Sequence, residues 1–177
     1  MMKNGNDFSA MRKLTRLVKG IRVAMLTTCA EDGSLHSRPM ATCEATKDGC
    51  LWFFTYSDTE KVHEVGENRR VNVTYSDPES DRYVAITGMA ECTSERDKME
   101  KHWSPLLYAW FPQGLDTHNI TLLRVSVQRA EYWDPNAGRL SNWVERLRAV
   151  VYHTPVFPTK HGRLELGHLQ TATQQAA

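Results

Sequence analysis

The chain carries almost no net charge. Its 177 residues hold 22 Lys and Arg against 21 Asp and Glu, a formal +1 with the seven His neutral. That balance argues against a protein whose work is to neutralise a nucleic-acid backbone. Long apolar runs are missing as well. No stretch approaches the roughly 20 residues of a membrane-spanning helix, and the opening MMKNGNDFSAMRKL holds no apolar core of signal-peptide length. Cysteine is scarce: Cys29, Cys43, Cys50 and Cys92 sit at spacings that match neither a metal knuckle nor a redox CxxC. They are expected to be buried, reduced thiols of a cytoplasmic protein, with no metal ligand set among them. A Ser-His-Asp order, HExxH, GxGxxG and a P-loop are all absent.

What is present is ordinary globular material, 41% hydrophobic and 24% charged. One domain over residues 1–149 is expected, followed by an extension or loose tail over 150–177, where the pattern decays into TATQQAA. Phe8, Met11, Leu14 and Val18 recur at helical spacing between Asp7, an N-cap residue, and Gly20, a terminator. The period then changes. IRVAMLTTC, LHSRPMATCEA and CLWFFTY read as three strands of an antiparallel meander, joined by turns at Asp32-Gly33 and Asp48-Gly49.

Ser57-x-x-Glu60 and Ser94-x-x-Asp97 read as capping boxes that open two short helices. Between them, VNVTYSD puts Val71, Val73 and Tyr75 on one face, and RYVAITGMAECT carries Gly88 as a bulge or a close backbone approach. TLLRVSVQRAEYWD alternates again, with Leu123, Val125 and Val127 on one side. Short strands at hairpin spacing with a few small helices predict a mainly β fold, a β-barrel of about six antiparallel strands with helical plugs. A sandwich is the rival that pattern alone leaves open.

Three features carry chemistry. Pro39 in the second strand has no N–H for a ladder, so Arg38-Pro39-Met40 reads as an edge or a place where something other than a strand meets the backbone. Phe54-Thr55-Tyr56-Ser57-Asp58-Thr59-Glu60-Lys61 brings a strand end, hydroxyls, a helix N-terminus and a lysine together, a corner suited to a phosphate. Trp103, Tyr108, Trp110 and Phe111 crowd an irregular segment, and Trp133 follows near the end of the last strand. Aromatics outside regular strands serve as core or as interface anchors.

The order of these features resembles the pyridoxamine 5′-phosphate oxidase-like, FMN-binding split barrels, in particular their general stress protein branch. The resemblance covers roughly residues 8 to 140. It implies that Arg38, Pro39, Met40 and Ala41 contact the flavin, that Phe54 and Thr55 lie along its ring, and that Thr59 and Lys61 hold its phosphate. Trp133 and Arg139 match the family's C-terminal flavin-contacting residues. The family's oxidases carry Arg where this chain has Glu60, and His and Arg where it departs after Arg139-Leu140.

The resemblance therefore implies FMN as cofactor and a homodimer with sites lined by both chains, Trp110 and Phe111 among them. No membrane or nucleic-acid partner is expected. The implied activity is a flavin-dependent oxidoreductase acting on a small molecule. A non-catalytic flavin-binding stress protein, or a barrel holding haem or a deazaflavin, are the alternatives. No residue is singled out as a catalytic acid.

Overall fold

The computed structural model describes residues 5–43, 49–134 and 161–166. Helix α1 (Gly5–Val18) leads into β1 (Val23–Cys29), β2 (Leu35–Ala41) and β3 (Cys50–Tyr56). Then come α2 (Glu60–Glu67), β4 (Arg70–Asp77), β5 (Arg82–Thr93), α3 (Arg96–His102), β6 (Ile120–Trp133) and β7 (His161–Glu165). Single 3-10 turns cover Pro105–Ala109 and Gly114–Asp116.

The strands form one antiparallel sheet in the order β2-β1-β4-β5-β6-β3, with β7 added on β6. This is a single curled sheet, a barrel and not a sandwich. The expected meander is corrected. β1 and β2 do form a hairpin, Val23 opposite Ala41 through Cys29 opposite Leu35. β3 instead leaves β2 and pairs with β6 along its whole length, Cys50 opposite Ser126 through Tyr56 opposite Ile120. The physical reason lies in β3 itself: CLWFFT is buried on both faces, so it needs a partner that also places apolar residues on both sides, and ITLL of β6 does so. The two edge strands nearly meet, with Cys43 N–H donating to the Trp52 carbonyl at 3.0 Å, so the sheet closes at one point and stays split beyond it.

Local chemistry accounts for the turns. Gly33 has φ +84°, and Asp32 Oδ1 accepts from both the amide and the hydroxyl of Ser34, at 2.9 and 2.6 Å. Gly20 has φ +86°, the left-handed residue that stops α1. Pro39 sits on β2, an edge strand, where its missing N–H costs no ladder bond. The register shifts between Thr87 and Gly88, the expected bulge. Asp48 of the second Asp-Gly turn lies outside the described residues; Gly49 has φ +87°.

Helix starts differ from expectation. α1 begins at Gly5, ahead of Asp7. α2 is capped at Thr59 and α3 at Glu95, and neither cap residue makes a side-chain capping bond, so the Ser57 and Ser94 boxes do not form. Thr59 Oγ1 donates to the Tyr56 carbonyl instead, at 2.7 Å.

The barrel core is filled by alternate strand residues, among them Leu26, Val73, Tyr75, Ile86, Leu123 and Val125, and plugged by Met11, Leu14 and Leu17 of α1. Phe8, expected on the buried face of α1, is exposed. A second cluster covers the outer face of β3 and β6, where Trp52, Phe54 and Leu122 meet Met99, Leu107 and Phe111. Of the four free cysteines only Cys50 is buried; Cys29 and Cys43 are half-buried and Cys92 is exposed, against the expectation of four buried thiols. Within the expected C-terminal extension, 161–166 adds β7 and sends Leu166 into the barrel core. Among the described residues, no helix is long and apolar enough to cross a membrane.

Candidate functional site

Helix α2 lies over one end of the barrel, and the candidate site is built around it. β1 runs buried-inward at Ala24, Leu26 and Thr28, and its partner β2 turns His36, Arg38 and Met40 to the same side. Two of these inward positions on β2 are charged or titratable, so a partner must come from the lid. It is Glu64 of α2, buried, whose Oε2 accepts from Arg38 Nη2 at 3.0 Å and from the Thr28 hydroxyl. Its Oε1 lies 2.5 Å from His36 Nδ1. Arg38 also donates to Thr28 Oγ1 and, at 3.0 Å, to the His36 carbonyl. Burial alone pushes the Glu64 carboxyl up; the hydrogen bonds from Thr28, His36 and Arg38, with the Arg38 charge, outweigh it and leave the group below its ordinary value. Sequence reasoning missed Thr28 and Glu64. An inward-facing Thr in an otherwise apolar β1 stripe is the signal that points to them.

Lys61 stands on the first turn of the same helix. Its Nζ donates to Thr55 Oγ1 at 3.0 Å, at the buried end of β3. Burial and the neighbouring Arg38 charge both lower the Lys61 ammonium from its ordinary value, opposed by Cys92 and Glu64. Arg38 is already paired with Glu64, whose charge also acts on Lys61, so Lys61, bonded to the Thr55 hydroxyl, is the cation placed to meet an anion. Hydroxyls continue along that end of the barrel: Thr121, opposite Thr55, donates to the Thr93 carbonyl at 3.1 Å and accepts from Ser94 Oγ at 3.3 Å. Cys43, near the split, has its thiol pushed up to about 12, chiefly by burial, and stays protonated at neutral pH.

The other sequence-predicted residues fall into three places. Met40 packs into the barrel core, Ala41 against the outer cluster, and Pro39 is exposed on the edge. Phe54 is buried in the outer cluster, edge-on to Trp103 with ring centroids 5.2 Å apart, and Phe111 joins it. Trp110 is 54% exposed beside the end of β3, where Tyr56 donates its hydroxyl to the Trp110 carbonyl at 3.1 Å. Trp133 lies elsewhere. It pairs with Tyr83 at the start of β5, whereas Cys92, the residue beside Lys61, is at the other end of that strand. The strand rise allows at most about 30 Å between Tyr83 and Cys92 along β5. Arg139 lies outside the described residues.

Known proteins share this architecture. Protein bli-3 of Neurospora crassa is 25% identical over 129 residues, 67% of this chain and 62% of that protein. This chain thus spans about three fifths of the curated relative it matches. The crystal structure of the general stress FMN/FAD binding protein of Xanthomonas citri superposes with a TM-score of 0.63 at 28% identity, covering 75% of this chain and 93% of that one. A protein related to general stress protein 26 from Clostridium acetobutylicum gives a TM-score of 0.63 at 19% identity, with 72% and 89% covered, a likeness of fold. Residues 9–155, most of the chain, match the sequence profile of the family described as pyridoxamine 5′-phosphate oxidase like, and the chain belongs to that family.

Proposed function

We propose that this chain is a cytoplasmic flavoprotein that binds FMN in a homodimer and transfers electrons to or from a small molecule. The observation that carries the reading is Lys61, partly desolvated and 3.0 Å from the Thr55 hydroxyl at one barrel end, with the Arg38 charge near enough to lower its ammonium. A dianionic phosphate there relieves their repulsion and accepts charge-assisted hydrogen bonds. The residues fit the group. Bound FMN supplies the hydride and electron chemistry. The chain's own part is to hold the phosphate with Lys61 and Thr55. Arg38 borders that place, its charge offset and its guanidinium fixed by Glu64. The split between the edge strands β2 and β3 leaves backbone groups for a planar ring with polar edges. The relative from Xanthomonas citri, a general stress FMN/FAD binding protein, supports the same assignment.

The distance argument supports the dimer. Trp133 sits at the far end of β5 and β6 from Lys61, away from its own chain's phosphate corner, which favours a site shared with a second copy. Leu106, Tyr108 and Trp110 are exposed close to the β3 end, an apolar group of the kind interfaces bury. The visible absorption spectrum of the purified protein tests the cofactor, and sedimentation equilibrium tests the assembly. A flavin spectrum on a dimer, with FMN affinity weakened in Trp133→Ala, is expected. A colourless monomer that leaves FMN fluorescence unquenched overturns the reading.

A further inference from the structure

Glu60 is the member of the corner that phosphate binding cannot use, since a carboxylate repels an anion. It stands one helical turn before Glu64, on the same face of α2. That face meets His36 of β2. His36 Nδ1 lies 3.8 Å from Glu60 Oε1 and 2.5 Å from Glu64 Oε1. One ligand atom from each of the three residues falls within 4.8 Å of the others. We propose that His36, Glu60 and Glu64 bind a divalent first-row cation of the Zn2+ type.

The donor set suits such an ion, one imidazole nitrogen and two carboxylate oxygens. Ligand atoms sharing a tetrahedral zinc lie roughly 3.3 Å apart, given bonds near 2.0–2.1 Å. The two separations at His36 bracket that value, so the ion needs an opening of about 0.8 Å at Glu64 and a closing of about 0.5 Å at Glu60, whose exposed side chain takes up the remaining adjustment. It takes the place of the proton now held between Nδ1 and Oε1. The imidazole is then neutral, with its lone pair at Nδ1 toward the ion and its Nε2–H toward Ser34 Oγ, 3.3 Å away.

Two of the ligands are held from behind by groups outside the trio. Ser34 Oγ, behind His36, is itself fixed by Asp32 Oδ1 at 2.6 Å, a carboxylate–hydroxyl–imidazole relay that orients the ring. Glu64 Oε2 is occupied by Thr28 and Arg38, so only Oε1 remains for the ion. The Arg38 charge offsets one carboxylate and leaves the other for the cation. His36 and Glu60 are 40% and 75% exposed, which gives the ion a way in and leaves a coordination position to water.

The test is a titration of metal-free protein with Zn2+ by calorimetry, repeated with Co2+ to read its d–d absorption. Wild type, His36→Ala and Glu60→Gln are compared; both residues are on the surface, and thermal melts without metal check that each variant folds. One ion per chain is expected, bound in the micromolar range, with affinity at least tenfold weaker in each variant. FMN affinity is measured on the same samples. Metal binding is read in FMN-free protein, so loss of the metal is scored apart from the phosphate corner, where Glu60→Gln, by removing a negative charge, should bind FMN no more weakly than wild type. Absence of binding overturns the proposal. So does binding that survives both substitutions, as cysteine ligation would, or that is lost in only one of them.

Discussion

Arg38 Nη2 and Glu64 Oε2 are 3.0 Å apart, with side chains 19% and 7% exposed, beneath the helix that closes one end of the barrel. A pair this buried is costly to break from one side, because the remaining charge stays desolvated. Glu64→Ala is expected to lower stability by about 3 kcal/mol, read from urea denaturation. Replacing both partners, Arg38→Met with Glu64→Leu, should recover most of that loss. A single variant as stable as wild type would show that water reaches the pair.

Lys61 gives a pH dependence with a definite sign. Its folded-state value is lowered, so the charged form destabilises the free protein at neutral pH. That penalty lifts as pH rises through the lowered value toward the ordinary 10.5. Anion binding runs the other way. It needs the ammonium, so affinity for FMN should fall with rising pH, beginning below the range of an ordinary lysine. Lys61→Ala should weaken FMN roughly 10- to 100-fold at neutral pH, the worth of one charge-assisted contact. Lys61→Arg should keep affinity at alkaline pH, since a guanidinium does not titrate there. Fluorescence titrations across pH check all three.

Two glycines should respond in opposite directions to alanine. A Cβ on Gly88 would collide with the Ser126 backbone carbonyl and come within 2.9 Å of Val125 Cγ1. Backbone cannot rotate away as a side chain does, so Gly88→Ala should cost about 2–3 kcal/mol. Gly66, inside α2, meets nothing within 4 Å. Gly66→Ala should stabilise by about 0.5–1 kcal/mol through lower unfolded-state entropy. Thermal melts of the two variants decide.

Leu166 ties the C-terminal strand to the barrel. It is 1% exposed in the core, and its amide donates to the Gln128 carbonyl at 2.7 Å. Leu166→Ala should cost about 2–5 kcal/mol, as for other buried leucines. Hydrogen exchange should then rise along the outer edge of β6, opposite His161–Glu165. A change confined to residues beyond 166 would contradict this.

The strands were legible in the sequence because period-2 burial is written directly into runs such as VNVTY, whose Val71, Val73 and Tyr75 all turn inward. Pairing was not. CLWFFTY shows no alternation, since both its faces are buried, and nothing in it distinguishes β2 from β6 as a neighbour. The corner expected from sequence joined Thr59, Lys61 and Arg38; in the structure Lys61 donates to Thr55, Thr59 to the Tyr56 carbonyl, and Arg38 is engaged by Glu64. That partner lies in a helix whose buried face carries one acid among apolar residues, and its meaning depends on Thr28 and His36 from two different strands. Local sequence cannot register a contact between elements so far apart along the chain.

The separation of β2 from β3 in the sheet has a consequence for how the chain is made. β3 waits for β6: Thr55 finds its partner only when Thr121 has left the ribosome. Until then an apolar ribbon with two sticky faces has no mate, while the hairpin before it is already complete. The topology places its longest-range strand pairing on its most hydrophobic strand, so closure should come late and slowly, after the loop-closing entropy has been met. During that interval the nascent chain is exposed to self-association, and its yield in a cell should depend on chaperones that hold apolar strands apart.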